Sequence, residues 1–149
     1  MPHPISTTYL DVQAARALAA LPAAGAFDLT PTEMPCPGFD FVTLYISYNE
    51  DAGATDGAVD IRIDVSPDST GAVWHQSTAY SVGLVAAGAD TISNMQREEL
   101  SYQAVGADAE YWVYGPVDLR GTVERMRVAA QESGDVANPG NCQIELRFG

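Results

Sequence analysis

The stretch Val59-Asp60-Ile61-Arg62-Ile63-Asp64-Val65-Ser66 decides the fold class. Val59, Ile61, Ile63 and Val65 take every second position, and Asp60, Arg62, Asp64 and Ser66 take the alternate ones. Successive side chains of an extended chain point to opposite faces, so this is a strand with one core face and one wet face. Upstream, across the Gly- and Asp-containing turn of residues 51–57, Phe39 to Glu50 alternates Val42, Leu44, Ile46 and Tyr48 against Phe41, Thr43, Tyr45 and Ser47. Both faces carry enough apolar surface to be partly buried, which predicts a central strand.

Downstream, Ser66-Pro67-Asp68-Ser69-Thr70-Gly71 reads as a turn, and Val73 to Ala79 as a short strand closing a hairpin. Ser81 to Val105 is the least legible stretch. Alternation around Leu100 and Tyr102 favours two strands there. Tyr111 to Tyr114 is an aromatic strand expected to stop at Gly115-Pro116, and Met126, Val128 and Ala130 alternate with Arg125, Arg127 and Ala129. After the Asn138-Pro139-Gly140-Asn141 turn comes the last strand, with Ile144, Leu146 and Phe148 inward and Gln143, Glu145 and Arg147 outward. Roughly eight strands at such turn spacing predict a single antiparallel β-sandwich, jelly-roll or immunoglobulin-like, over residues 27–149.

Residues 1–26 differ from the rest. Leu10, Val12, Ala14, Ala15, Leu18 and Leu21 are spaced for a helix of about three turns, ended by Pro22. An alanine-rich helix this short is marginal without something to pack on. Two readings stand: a helix covering one end of the core, or an arm that reaches a neighbouring subunit.

The chain of 149 residues suits one core. Its 20 acidic and 7 basic residues leave a net charge of −13, which makes nucleic acid and anionic membranes poor partners. All seven basic residues are arginine. No export signal or membrane span is legible, so synthesis and retention in a cytoplasm are expected. Cys36 and Cys142 are too few for a zinc site, and they pair only if the fold joins the first and last strands.

Catalytic constellations are not visible, so no catalytic, cofactor or metal residue is assigned. His3 sits in the amino-terminal segment and His75 on a half-exposed strand, neither with a partner set. Glu50, Asp51, Asp56, Asp60, Asp64 and Asp68 surround Arg62, but a glycosidase needs two carboxyls across a cleft, and Asp60 and Asp64 read as a solvated face. Asn49, Asp51 and Asp56 suggest calcium by ligand type, although their spacing does not match an EF-hand loop. Trp74, Trp112, Tyr45, Tyr48, Tyr80, Tyr102, Tyr111 and Tyr114 suit core packing first, and stacking on sugar rings or on a protein partner second.

The run Phe39 to Tyr48, followed by Gly57 to Asp68 and Trp74, resembles small virion proteins of tailed bacteriophages. The ending, Pro116 to Gly121 through Arg125 to Ala129 and the Pro139-Gly140 turn, carries the same likeness. The resemblance implies a sandwich or jelly-roll capsid decoration (cement) protein, binding the major capsid protein on the outer shell as a homotrimer, without catalytic residues or cofactors. The alternatives are another virion component, such as a tail or head-completion protein, or a carbohydrate-binding sandwich using exposed tryptophans and calcium.

Overall fold

A computed structural model describes residues 13–22, 26–76, 99–103, 109–120 and 123–149. These residues form nine strands and no helix: β1 (Gln13–Ala20), β2 (Met34–Pro35), β3 (Phe41–Asn49), β4 (Ala58–Ser66), β5 (His75–Gln76), β6 (Glu99–Gln103), β7 (Ala109–Asp118), β8 (Arg125–Glu132) and β9 (Asn141–Phe148). Residues 1–12, the end of the expected strand at 77–79 and the expected strand between 81 and 98 lie outside the described residues, as do His3 and Tyr80.

Two antiparallel sheets pack face to face. One has the order β1-β9-β3-β7; the other has β2-β8-β4-β5, with β6 also pairing to β4. The pairs β1 with β9, β2 with β8, β3 with β7 and β4 with β6 are those of one long antiparallel ribbon. Its alternate pairs fall into opposite sheets, and β3 joins β9 while β4 joins β8 as the ribbon rolls up. That winding is a jelly roll, with β5 as a short addition, and it decides between the two sandwich forms expected from sequence.

The core is the inward period of each strand. Val42, Leu44, Ile46 and Tyr48 of β3 and Ile144 and Leu146 of β9 face Val59, Ile61 and Ile63 of β4 and Met126, Val128 and Ala130 of β8, all buried. β3 is central, as its two apolar faces predict, lying between β9 and β7.

Three expectations need correction. The helix expected near residues 10–21 is, over Gln13–Ala20, the strand β1, paired from Gln13↔Leu146 to Ala20↔Asn141 with two register shifts. Pairing with β9, with Ala15 and the following Leu21 buried in the core, supplies tertiary contacts that an isolated alanine-rich helix lacks, and these override propensity. The aromatic strand does not stop at Gly115-Pro116 but continues to Asp118. The register slips by one residue there, between the Leu44↔Tyr114 and Val42↔Val117 pairs. Gly115, at φ 135°, passes so close to β3 that a Cβ would lie 2.9 Å from the Val42 carbonyl oxygen, so only glycine fits this bulge.

The third correction concerns the outer face of β4, which is not uniformly wet: Asp64, Ser66 and the neighbouring Ala129 of β8 are buried. Asp64 lies between two arginines, 3.1 Å from Arg62 Nε and 3.0 Å from Arg127 Nε. The Arg62 guanidinium lies over the Phe27 ring and that of Arg127 over the Trp74 ring, at 4.7 and 4.3 Å. These cation–π contacts draw both aromatic residues onto the sheet.

Candidate functional site

The acidic residues of the β3–β4 region hold turns and strands. Glu50 Oε1 accepts from Gly57 N at 2.6 Å, and Asp51 Oδ1 from Gly53 N at 2.8 Å. Asp60 accepts from Ser133 Oγ across to the end of β8. Asp68 accepts from Thr70 N, Thr70 Oγ1 and Ala72 N, and the Thr70 donors hold its carboxyl below the usual carboxylate range. Glu50, Asp51 and Asp68 are thus engaged within their own turns, and Asp60 across the sheet. Among the described residues, no group of three or more His, Cys, Asp or Glu is placed to hold a metal ion, so the calcium reading of Asn49, Asp51 and Asp56 gains no ligand set.

His75 is exposed on β5 and pairs through its backbone with Val65. Cys36 and Cys142 are both free thiols and fully buried. Burial pushes Cys36 up to about 11, aided by Glu124 and opposed by Arg125. Burial likewise pushes Cys142 up to about 12. A nucleophilic cysteine needs the opposite shift.

The tryptophans do not form a free platform. Trp112 stacks between Tyr102 and Tyr48, at centroid distances of 4.7 and 6.3 Å, and Trp74 lies under Arg127. The polar centre of the interior is Glu132, the last residue of β8, which is fully buried. Its Oε2 accepts from Tyr48 Oη at 2.8 Å and Gly140 N at 3.0 Å; its Oε1 accepts from Ala58 N at 2.8 Å and Gly134 N at 3.1 Å. One carboxylate therefore joins β3, β4 and the β8–β9 connection. Burial raises the Tyr48 phenol well above its ordinary range, and the hydrogen bond to Glu132 adds to this. Gly140 permits the closeness, since a Cβ there would lie 2.5 Å from the Tyr48 ring. Glu132 was not singled out by composition or motif, although it continues the inward period of Met126, Val128 and Ala130.

Two surfaces depart from the polar norm. The first is β1, which ends its sheet and has six of eight residues exposed, Leu18 at 63%. Its one charge, Arg16, turns away to bind Asp28 and the carbonyls of Ala19, Ala20 and Cys142. The second is the outer face of the four-stranded sheet. Tyr111, Val113 and Tyr45 are 77, 65 and 37% exposed there. A depression of about 180 Å³ opens among Tyr45, Ser47, Tyr111, Val113, Gln143 and Glu145. Of the tyrosines weighed from sequence, Tyr45 and Tyr111 thus reach the surface, and Tyr48 does not. Compared with known proteins, the chain matches no protein-family model, no curated protein and no solved structure.

Proposed function

We propose that this chain is a non-enzymatic structural protein of a virion, a decoration protein that binds the major capsid protein on the outside of a phage head as a homotrimer. The observation that carries this reading is the β1 edge. An alanine-rich strand, with its only charge folded inward and Leu18 exposed, lies at the rim of the sheet. Such an edge carries no lysine or proline, and its one arginine is drawn to Asp28, so Leu18 and the exposed alanines offer a template for a strand or apolar surface of another subunit. The jelly-roll winding is an architecture of viral capsid and lectin domains, an analogy of fold that specifies no partner. A net charge of −13 on each chain keeps free trimers soluble and repelling one another until the lattice captures them. A protein that binds only the assembled lattice then stabilises it by mass action.

The test is light scattering coupled to size exclusion, followed by co-sedimentation with phage head shells lacking the protein. The expected result is a trimer that pellets with shells, and a Leu18→Lys variant that stays in the supernatant while remaining folded. A wild-type monomer that ignores shells, or a Leu18→Lys variant that pellets as well as wild type, overturns the proposal.

A further inference from the structure

We infer that the outer face of the four-stranded sheet is a binding site for one neutral pyranose ring of a glycan, seated in the depression between Tyr45, Tyr111, Gln143 and Glu145. The site is distinct from the β1 edge and does not depend on the decoration reading. It spans β9, β3 and β7, whereas β1 lies beyond β9.

The register builds it. Tyr45 of β3 stands opposite Glu145 of β9 on one side and Val113 of β7 on the other; Ser47 stands opposite Gln143 and Tyr111. Tyr45 and Tyr111 are therefore diagonal neighbours on one face, about 7–8 Å apart by sheet geometry. Ser47, the shortest side chain of the group, forms the floor between them. Two exposed rings make one wall, and a carboxylate and a carboxamide make the other. Gln143 Nε2 donates to Glu145 Oε1 at 3.3 Å, which sets these two polar groups side by side. A carboxylate has about four acceptor positions, so Glu145 keeps capacity for ligand hydroxyls, and the Gln143 carbonyl and second amide hydrogen add an acceptor and a donor.

Size and polarity select the ligand. The depression of about 180 Å³ is smaller than the roughly 300–1,000 Å³ that encloses a drug-sized molecule, so it seats one ring of a longer chain. A protein partner is a poorer fit. The centres of protein interfaces are depleted of charge, whereas here Glu145 stands directly beside Tyr45 in the middle of the face. A pyranose has what this surface matches: an apolar face of C–H groups for the tyrosine rings and an equatorial belt of hydroxyls for Glu145 and Gln143. Glu145 is the one charged residue lining the depression, Arg147 of the same face standing further along β9 opposite Thr43, and with the net charge of −13 it acts against sialic or uronic acids, so the ring is a neutral one.

The full chain is applied to a glycan array of neutral and acidic pyranose oligosaccharides, with the Tyr45→Ala/Tyr111→Ala double variant as baseline. The tightest neutral glycan is then titrated by calorimetry and by the NMR signal of the Gln143 side-chain amide. Neutral glycans should be retained above baseline and acidic ones not, with Tyr111→Ala weakening binding about tenfold from the loss of one stacking ring. Glu145→Gln should weaken neutral binding and narrow the neutral-over-acidic difference, because it removes the carboxylate that repels acidic sugars. Leu29→Ala, at a residue 93% exposed in another part of the chain, should bind as wild type. An array with no neutral glycan above baseline overturns the inference. So does binding that both variants leave intact, since the sugar then sits elsewhere, and so does displacement of the Gln143 signal by a proline-rich peptide but by no glycan. None of these readouts uses capsids, so failure here leaves the β1 proposal standing, and the reverse.

Discussion

Replacing Glu132 by glutamine changes one atom and should cost this fold a large part of its stability. Four donors converge on the buried carboxylate, from Tyr48, Ala58, Gly134 and Gly140. A carboxamide offers one acceptor oxygen and turns an NH₂ group against the other two donors. If the oxygen stays with Ala58 and Gly134, the Tyr48 hydroxyl can rotate to accept from the NH₂, but the Gly140 N–H cannot. That buried donor is left unsatisfied, at about 1–3 kcal/mol, and the retained bonds lose their charge assistance, about 1 kcal/mol each. Burying a neutral amide in place of an ion offsets part of this, leaving a net loss of about 3 kcal/mol. For a chain of this size that lowers the melting temperature by about 6–12 °C. Tyr48→Phe removes one charge-assisted bond and orphans no N–H, so it should cost less, about 1.5 kcal/mol. The pair should be coupled by about 1 kcal/mol in a double-mutant cycle, because both changes act on one hydrogen bond. Urea unfolding followed by tryptophan fluorescence measures all three, with an unchanged slope as the two-state check. A Glu132→Gln protein within about 0.5 kcal/mol of wild type, the range of a surface substitution, refutes the assignment of Glu132 as the polar clamp.

Asp64 should behave as a second clamp. Asp64→Asn leaves Arg62 and Arg127 beside a neutral amide, and because both guanidiniums retain some exposure the loss should be near 2 kcal/mol in urea, with loss of Trp74 ordering seen as a fluorescence shift. No change in either signal would mean that the arginines are held by other groups. The thiols give a pH prediction. Both folded values are raised, so their contribution is complete below the unfolded value near 8.5, declines above it, and is lost as pH rises through about 11 for Cys36 and about 12 for Cys142. A thiol-reactive chromophore at pH 8 should therefore label neither cysteine in the native protein and both in urea; rapid native labelling contradicts the burial.

Period-2 alternation was legible wherever a strand had one neighbouring sheet to face, and the inward residues of β3, β4, β8 and β9 follow it. It was not legible where a segment has no alternating apolar face of its own or where its course depends on a neighbouring strand. β1 has helical spacing in isolation and becomes a strand because β9 lies beside it, more than a hundred residues later in sequence. Gly115-Pro116 resembles a terminator, and only the adjacent β3 backbone shows that it is a bulge within the strand. Asp64 reads as wet because alternation reports a face, not what later folds over it; Phe27 and Trp74 arrive from outside the strand. The tyrosine site was beyond reach for the same reason. Tyr45, Tyr111 and Glu145 belong to three strands and meet only through the register, so composition could offer eight aromatics but not choose two.

The roll of the ribbon also explains why two unusual surfaces can coexist on one sheet. β1 and β7 are its opposite edges, with β9 and β3 between them. Because β1 contributes little more than Ala15 to the core, its sequence is constrained mainly by backbone pairing and is free to serve a partner. The face carried by β9, β3 and β7 has the opposite constraint: its inward side chains, including Ile46, Trp112 and Ile144, fill the interior, so the outward ones are held at fixed spacing by a packed layer beneath. An edge suited to attachment and a rigid face suited to recognition thus follow from one topology. Across the sheet β1 lies one strand spacing, about 5 Å, from Gln143 and Glu145 of β9 and two, about 10 Å, from Tyr45 of β3, and a partner added at the free edge of β1 extends the sheet away from that face.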